Sequence, residues 1–138
     1  MNPIDVEIDT LMPHRRPLRL IDEILSVDED SAVSAATINR QWPLLADGAA
    51  NPIVLVELVA QTAAALGGFK KKRGAAAGGG LIVGIKSANF FIDAIPLHSR
   101  IITRSTTRLL IDNFKEITGV VRIDDAVVAE IALQSVSY

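Results

Sequence analysis

Cysteine is absent from the 138 residues, which removes disulfides, thiolate metal sites and a cysteine nucleophile. Histidine is nearly as scarce. Only His14 and His98 occur, too few for a three-histidine zinc site within one chain, and no metal or other cofactor is expected. Aromatics make up 4%, so a core must be largely aliphatic. No apolar run reaches the roughly 20 residues needed to span a bilayer; the longest, 53–68, is interrupted by Glu57 and Gln61. A basic excess is also lacking. Fourteen Lys and Arg face sixteen Asp and Glu, a formal net charge of -2, which argues against a nucleic-acid partner. The N-terminal stretch MNPIDVEIDTLMPHRRP carries acids and no continuous apolar run, unlike a secretory signal. The expectation is a cytoplasmic protein with neither membrane nor nucleic-acid partners.

What the chain does have is aliphatic content: 49% of residues are hydrophobic, enough for one core over a single domain, 1–138. The clearest element is the stretch 51–68. Asn51 suits an N-cap, Pro52 the first helical position, and Gly67-Gly68 a stop, with Lys70-Lys71-Lys72-Arg73 just beyond the negative end of the dipole. This helix reads as apolar nearly all round, a pattern normally surrounded by protein.

The rest is β-rich. Strands are expected over 19–27 and 32–38, joined by a turn at Asp28-Glu29-Asp30-Ser31, then over 81–91, 99–110, 114–123 and 126–136. Residues 70–80 read as a polar, then Gly/Ala-rich connector. A hairpin, one long helix and a run of antiparallel strands make an α+β unit with the sheet curled around the helix. Such a sheet has open edges, and pairing through an edge strand is one way to cover them.

Three segments carry a resemblance. Leu11-Met12-Pro13-His14-Arg15-Arg16-Pro17-Leu18-Arg19-Leu20-Ile21-Asp22 resembles the L-P-H-R-x-P-x-L-x-(I/V/L)-D opening of bacterial 3-hydroxyacyl-(acyl-carrier-protein) dehydratases. Val56-Glu57-Leu58-Val59-Ala60-Gln61 resembles their E-x-x-A-Q helix, and Leu81 to Phe90 their G-I-x-x-(V/A)-x-F strand. The resemblance implies a hotdog fold, an obligate dimer and an acyl thioester on carrier protein or coenzyme A. It also implies a helix carboxylate facing a histidine from the other subunit, and helix-terminal N–H groups holding the thioester carbonyl. One departure stands out. The family's histidine lies in a G-H-F-P segment before the helix, and the corresponding stretch 39–48 has none. Trp42-Pro43 matches Phe-Pro, which puts Gln41 at the histidine position. Pro52 falls on the family's glycine and has no N–H to donate, so the donor role passes to Ile53 or Val54. The pattern is closer to a divergent dehydratase-like subgroup of aryl-polyene and related pathways.

The candidate residues follow. Glu57, set among Val54, Leu55, Val56, Leu58 and Val59, should be paired, protonated or facing a cavity. It reads either as a general acid or base or as a structural carboxylate. Gln61, one turn on, could bond that carboxylate or a substrate carbonyl. His14 could replace the missing base or belong to a structural motif, and His98 reads as an exposed turn residue. Substrate contacts are expected from Ile53, Val54, Trp42, Pro43 and Asp47, the last of which also reads as a plain Asp-Gly turn. Arg15, Arg16, Lys70, Lys71, Lys72 and Arg73 could dock an acidic carrier or be a solvated run. Three functions remain open at this point: a dehydratase, a hotdog thioesterase using Glu57, and a silent acyl-binding or partner subunit of an active dehydratase paralogue.

Overall fold

The computed structural model describes residues 2–74 and 80–137. The first hairpin pairs Glu23–Val27 (β1) with Ser31–Thr37 (β2), its turn closed by the Asp28 N–H donating to the Ser31 carbonyl at 2.8 Å. Two short strands follow, Leu45–Ala46 (β3) and Ala49–Ala50 (β4), then the helix Val54–Lys72 (α1). After it come Gly80–Phe90 (β5), Ile95–Pro96 (β6), Arg100–Ile111 (β7), Phe114–Ile123 (β8) and Ala126–Ser137 (β9). The longer strands form one sheet in the order β1-β2-β7-β8-β9-β5, antiparallel throughout. Strand β5, which follows the helix in sequence, therefore lies at an edge. Strands β3, β4 and β6 make a separate small sheet.

The sheet curls around α1. Val54, Leu55, Leu58, Val59 and Ala65 of the helix share one core with Ala36, Ile101, Ile117, Val121, Ala129, Ile131 and Leu133 of the strands. Along β8 the pleat alternates: Ile117 and Val121 are buried beside Gly119, whereas Thr118 and Arg122 are exposed. A Cβ on Gly119 would stand 2.3 Å from Val59 Cγ2, so the missing side chain sets how closely helix and sheet approach. Hydroxyls of Ser105, Ser34 and Thr62 beneath the helix find partners within the layer, whereas buried Thr103 Oγ1 has none among the described residues. Ser105 Oγ donates to the Val59 carbonyl at 2.8 Å, and Ser34 and Thr62 share a bond of 2.8 Å.

Several expectations need correction. The helix does not stop at Gly67-Gly68 but runs on to Lys72. Gly68 is there for close approach, since a Cβ would lie 2.2 Å from the Leu11 carbonyl oxygen. Lys70, Lys71 and Lys72 thus form the last helical turn, where cations complement the dipole, rather than a connector; residues 75–79 of the expected connector lie outside the described residues. The first sheet strand begins at Glu23 and not at Arg19. The edge strand β5 and the β7–β8 hairpin tip leave Leu81, Val83, Ile85, Leu109, Leu110 and Ile111 about half exposed or more.

On the face of the sheet away from the helix, Glu116 is nearly buried and accepts from Lys86 Nζ and Arg108 Nη2, each at 3.0 Å. The hydrogen bond from Lys86, followed by the Lys86 charge and then the hydrogen bond and charge of Arg108, holds this carboxyl below its ordinary value of 4.5 against the opposing effect of burial. Because the folded value lies below the unfolded one, the cluster stabilises the fold fully above the ordinary carboxylate range. That stabilisation is lost as pH falls through the folded value. Glu116→Gln should therefore flatten the acid limb of thermal stability measured between neutral and strongly acid pH. Gly119→Ala should destabilise by about 1–3 kcal/mol in chemical denaturation, because Val59 is stiff and fully enclosed.

Candidate active site

Gln61 is fully buried and makes three hydrogen bonds. Its Oε1 accepts from the Leu20 N–H at 2.8 Å, and its Nε2 donates to the Leu18 carbonyl at 2.7 Å and to Glu57 Oε1 at 2.9 Å. The two main-chain partners leave no freedom in how the amide is turned, because an N–H faces Oε1 and a carbonyl faces Nε2. Gln61 therefore presents a donor, not an acceptor, to Glu57. It also straps the segment 18–20 to the helix one turn below the carboxylate. In this structure the enclosed amide has both hydrogens engaged by Leu18 and Glu57 and faces no open space.

The strapped segment continues back to His14. Its Nε2 lies 3.4 Å from Glu57 Oε1, with the two side chains 33% and 48% exposed. Acid and imidazole of one chain thus stand side by side and open to solvent. The burial expected for Glu57 is absent from the single chain. The carboxylate sits in the first turn of α1, on a stripe where Ile53 and Gly67 are also exposed and Ala60 and Ala64 only half-buried. The helix is apolar all round in sequence, yet one stripe of it is uncovered. His14 Nδ1 is buried and has no hydrogen-bond partner among the described residues.

The remaining candidates are placed as follows. Asn51 does not cap with its side chain at the assigned cap position, but its Oδ1 accepts the Ile53 N–H at 3.0 Å and its carbonyl accepts the Val54 N–H at 3.1 Å. Neither amide expected to hold a thioester carbonyl stands free: one is engaged by the Asn51 side chain and the other by its main-chain carbonyl. Trp42 is a core residue, 4% exposed, packed in the same cluster as the helix, whereas Pro43 is exposed. Gln41 lies beside Arg16 and Pro17, lining a shallow open depression. Asp47 and Gly48, at φ 53° and 77°, form the two-residue turn of the β3–β4 hairpin, the left-handed pair such a turn requires. His98, at φ 72°, is an exposed turn residue. Arg15 and Arg16 fold back on their own loop: Arg15 donates to main-chain carbonyls, and Arg16 pairs with Asp22, which also accepts the Thr37 N–H at 2.8 Å. Lys72 donates to Thr10, while Lys71 and Arg73 are exposed. Among the described residues no cluster of metal-ligand side chains occurs, and no helix is long and apolar enough to cross a membrane.

One helix enclosed by an antiparallel sheet in this strand order defines a hotdog protein. The sequence pattern of the ApeP-like family, described as ApeP dehydratase, matches residues 6–137, and the chain belongs to that family. Its fold is similar to the dehydratase heterocomplex ApeI:P from Xenorhabdus doucetiae, with a TM-score of 0.85 at 20% identity over 96% of this chain and 91% of that one. A homologue of HP0420 from Helicobacter felis gives 0.70 at 17% identity, over 94% and 86%. A hypothetical thioesterase with coenzyme A from Streptococcus pneumoniae gives 0.65 at 14% identity, over 84% of each chain. No curated protein sequence matches.

Gln61→Leu should orphan the buried Leu20 N–H at a cost of about 1–3 kcal/mol, and the part-buried Leu18 carbonyl, on an exposed residue, at less. Amide hydrogen exchange at Leu20 should rise well above that of the β7–β8 core.

Proposed function

We propose that this chain is a dehydratase acting on 3-hydroxyacyl thioesters, with His14 and Glu57 of one chain as its acid–base pair. The observation that carries the reading is the 3.4 Å approach of His14 Nε2 to Glu57 Oε1, in a chain with no histidine in the stretch 39–48. Elimination of water needs a base for the α-proton and an acid for the departing β-hydroxyl. His14 Nε2 takes the proton from Cα. The carboxyl of Glu57, with Oε1 already held by Gln61, delivers its proton to the hydroxyl, which leaves as water as the Cα–Cβ double bond forms. The imidazolium and carboxylate left behind are adjacent, and the proton returns to Glu57 directly or through solvent. No cofactor enters the reaction.

The open stripe on α1 and the apolar edge strand β5 favour a second chain covering the site, either a copy or a dehydratase paralogue, as exposed apolar patches and unpaired edges mark interaction surfaces. The thioester would be carried by acyl carrier protein or coenzyme A in the cytoplasm, with Lys70, Lys71 and Arg73 near the helix end offered to an acidic carrier.

A second reading, a silent partner subunit, is favoured by two observations. His14 Nδ1 has no partner to orient it among the described residues, unlike an activated base held by a third group, and the Ile53 and Val54 amides are engaged by Asn51. The test is turnover of a 3-hydroxyacyl thioester by the purified chain, followed by absorbance of the conjugated product. Glu57→Gln and His14→Asn should each lower it roughly 10²-fold or more. Free thiol without conjugated product would indicate hydrolysis instead. Turnover seen only after adding a paralogue, and indifferent to both substitutions, would establish the silent partner.

A further inference from the structure

Segment 12–20, which carries His14, contains no helix or strand, yet a reacting imidazole has to keep its place to within a fraction of an ångström. Gln61 fixes the far end of this segment at Leu18 and Leu20. The near end is fixed by Arg15, whose Nη1 donates to the Met12 carbonyl at 2.8 Å and to the His14 carbonyl at 2.9 Å. Those two carbonyls bracket Pro13-His14, and the Pro13 ring restricts its own φ. One amino group with two hydrogens therefore pins the peptide units on both sides of the reacting residue. Asp9 lies near the guanidinium at the outer limit of ion pairing, Oδ2 4.0 Å from Arg15 Nε with both side chains about half exposed, and its Oδ1 lies 3.2 Å from Arg19 Nη1. The Arg19 N–H also donates to the Arg15 carbonyl at 2.9 Å.

We infer that Arg15 is a positioning residue for His14 and not part of a carrier-docking surface, an inference that rests on reading His14 and Glu57 as the reacting pair. The two roles make opposite demands on the side chain. A docking arginine turns its fork outward to meet carboxylate or phosphate in a bidentate contact. Arg15 has spent one arm of that fork on its own loop and set its Nε towards Asp9. Glutamine at this position is too short to reach both carbonyls, whereas a lysine ammonium, with three donors on a flexible stem, can still reach them.

The experiment compares wild type, Arg15→Gln and Arg15→Lys, each alone and combined with Glu57→Gln, in the full chain. With carrier-bound 3-hydroxyacyl substrate, Arg15→Gln should lower kcat roughly 10- to 100-fold, the scale of a small misplacement of a reacting group. KM should stay within about two-fold, and Arg15→Lys should restore most of the rate. A raised KM at unchanged kcat would assign Arg15 to docking and overturn the inference. A second readout needs no turnover: the imidazole ¹⁵N signals of His14 at fixed pH. These should respond to Glu57→Gln when Arg15 is present and cease to respond in the Arg15→Gln background. No response with Arg15 present would overturn the pair itself and the inference with it. An equal response in both backgrounds would overturn the role of Arg15 alone.

Discussion

A single buried amide holds the site together. Gln61 bonds to the main chain on both sides of Arg19 and to the Glu57 carboxylate, and so joins three parts that are distant in sequence: the helix, the irregular segment 18–20, and through that segment His14. Magnitudes favour this group over the ion pairs around it. Exposed pairs such as Arg15–Asp9 contribute about 0–1 kcal/mol, whereas leaving the Leu20 N–H unpaired inside the protein would by itself cost about 1–3 kcal/mol. The charged contacts tune the loop; the amide places it.

The placement has a consequence for the chemistry. The dehydratases that the sequence resembles set a histidine of one subunit against a carboxylate of the other. The resemblance puts Gln41 at the position of that histidine, and Gln41 lies exposed beside Arg16 and Pro17. His14, from the opening motif, stands next to Glu57 within the same chain. On the proposed reading acid and base come from one chain, and a second chain would cover the open helix stripe and the apolar edge. The reaction class would be retained with a different origin for the base.

Much of the architecture is legible in the sequence because long periodic elements declare themselves: the helix, the first hairpin and the four long strands after the connector all lie within a few residues of where their patterns put them. The failures have physical reasons. Gly67-Gly68 reads as a stop, but a glycine can also serve close packing, and nothing local tells that Leu11 passes over Gly68. The strands β3, β4 and β6 are two residues long, too short for any alternation to show. Glu57 reads as enclosed because hydropathy alone does not tell a helix covered on all sides from one with an open stripe. Gln61 and Glu57 are one turn apart and were readable as neighbours. The approach of His14, forty-three residues earlier in the chain (57 − 14), follows from the Gln61 clamp and has no sequence signal of its own. Glu116 likewise carries no sequence signal, because its partners Lys86 and Arg108 lie on other strands.

The central claim is that both reacting groups belong to the same chain, and complementation tests it most directly. Chains carrying His14→Ala and chains carrying Glu57→Gln, co-expressed under different tags and purified as mixed dimers, would each lack one half of a one-chain site. Such mixed dimers should remain as inactive as either variant alone. Recovery of a substantial fraction of wild-type turnover, with one intact histidine and one intact glutamate meeting across the interface, would contradict the account.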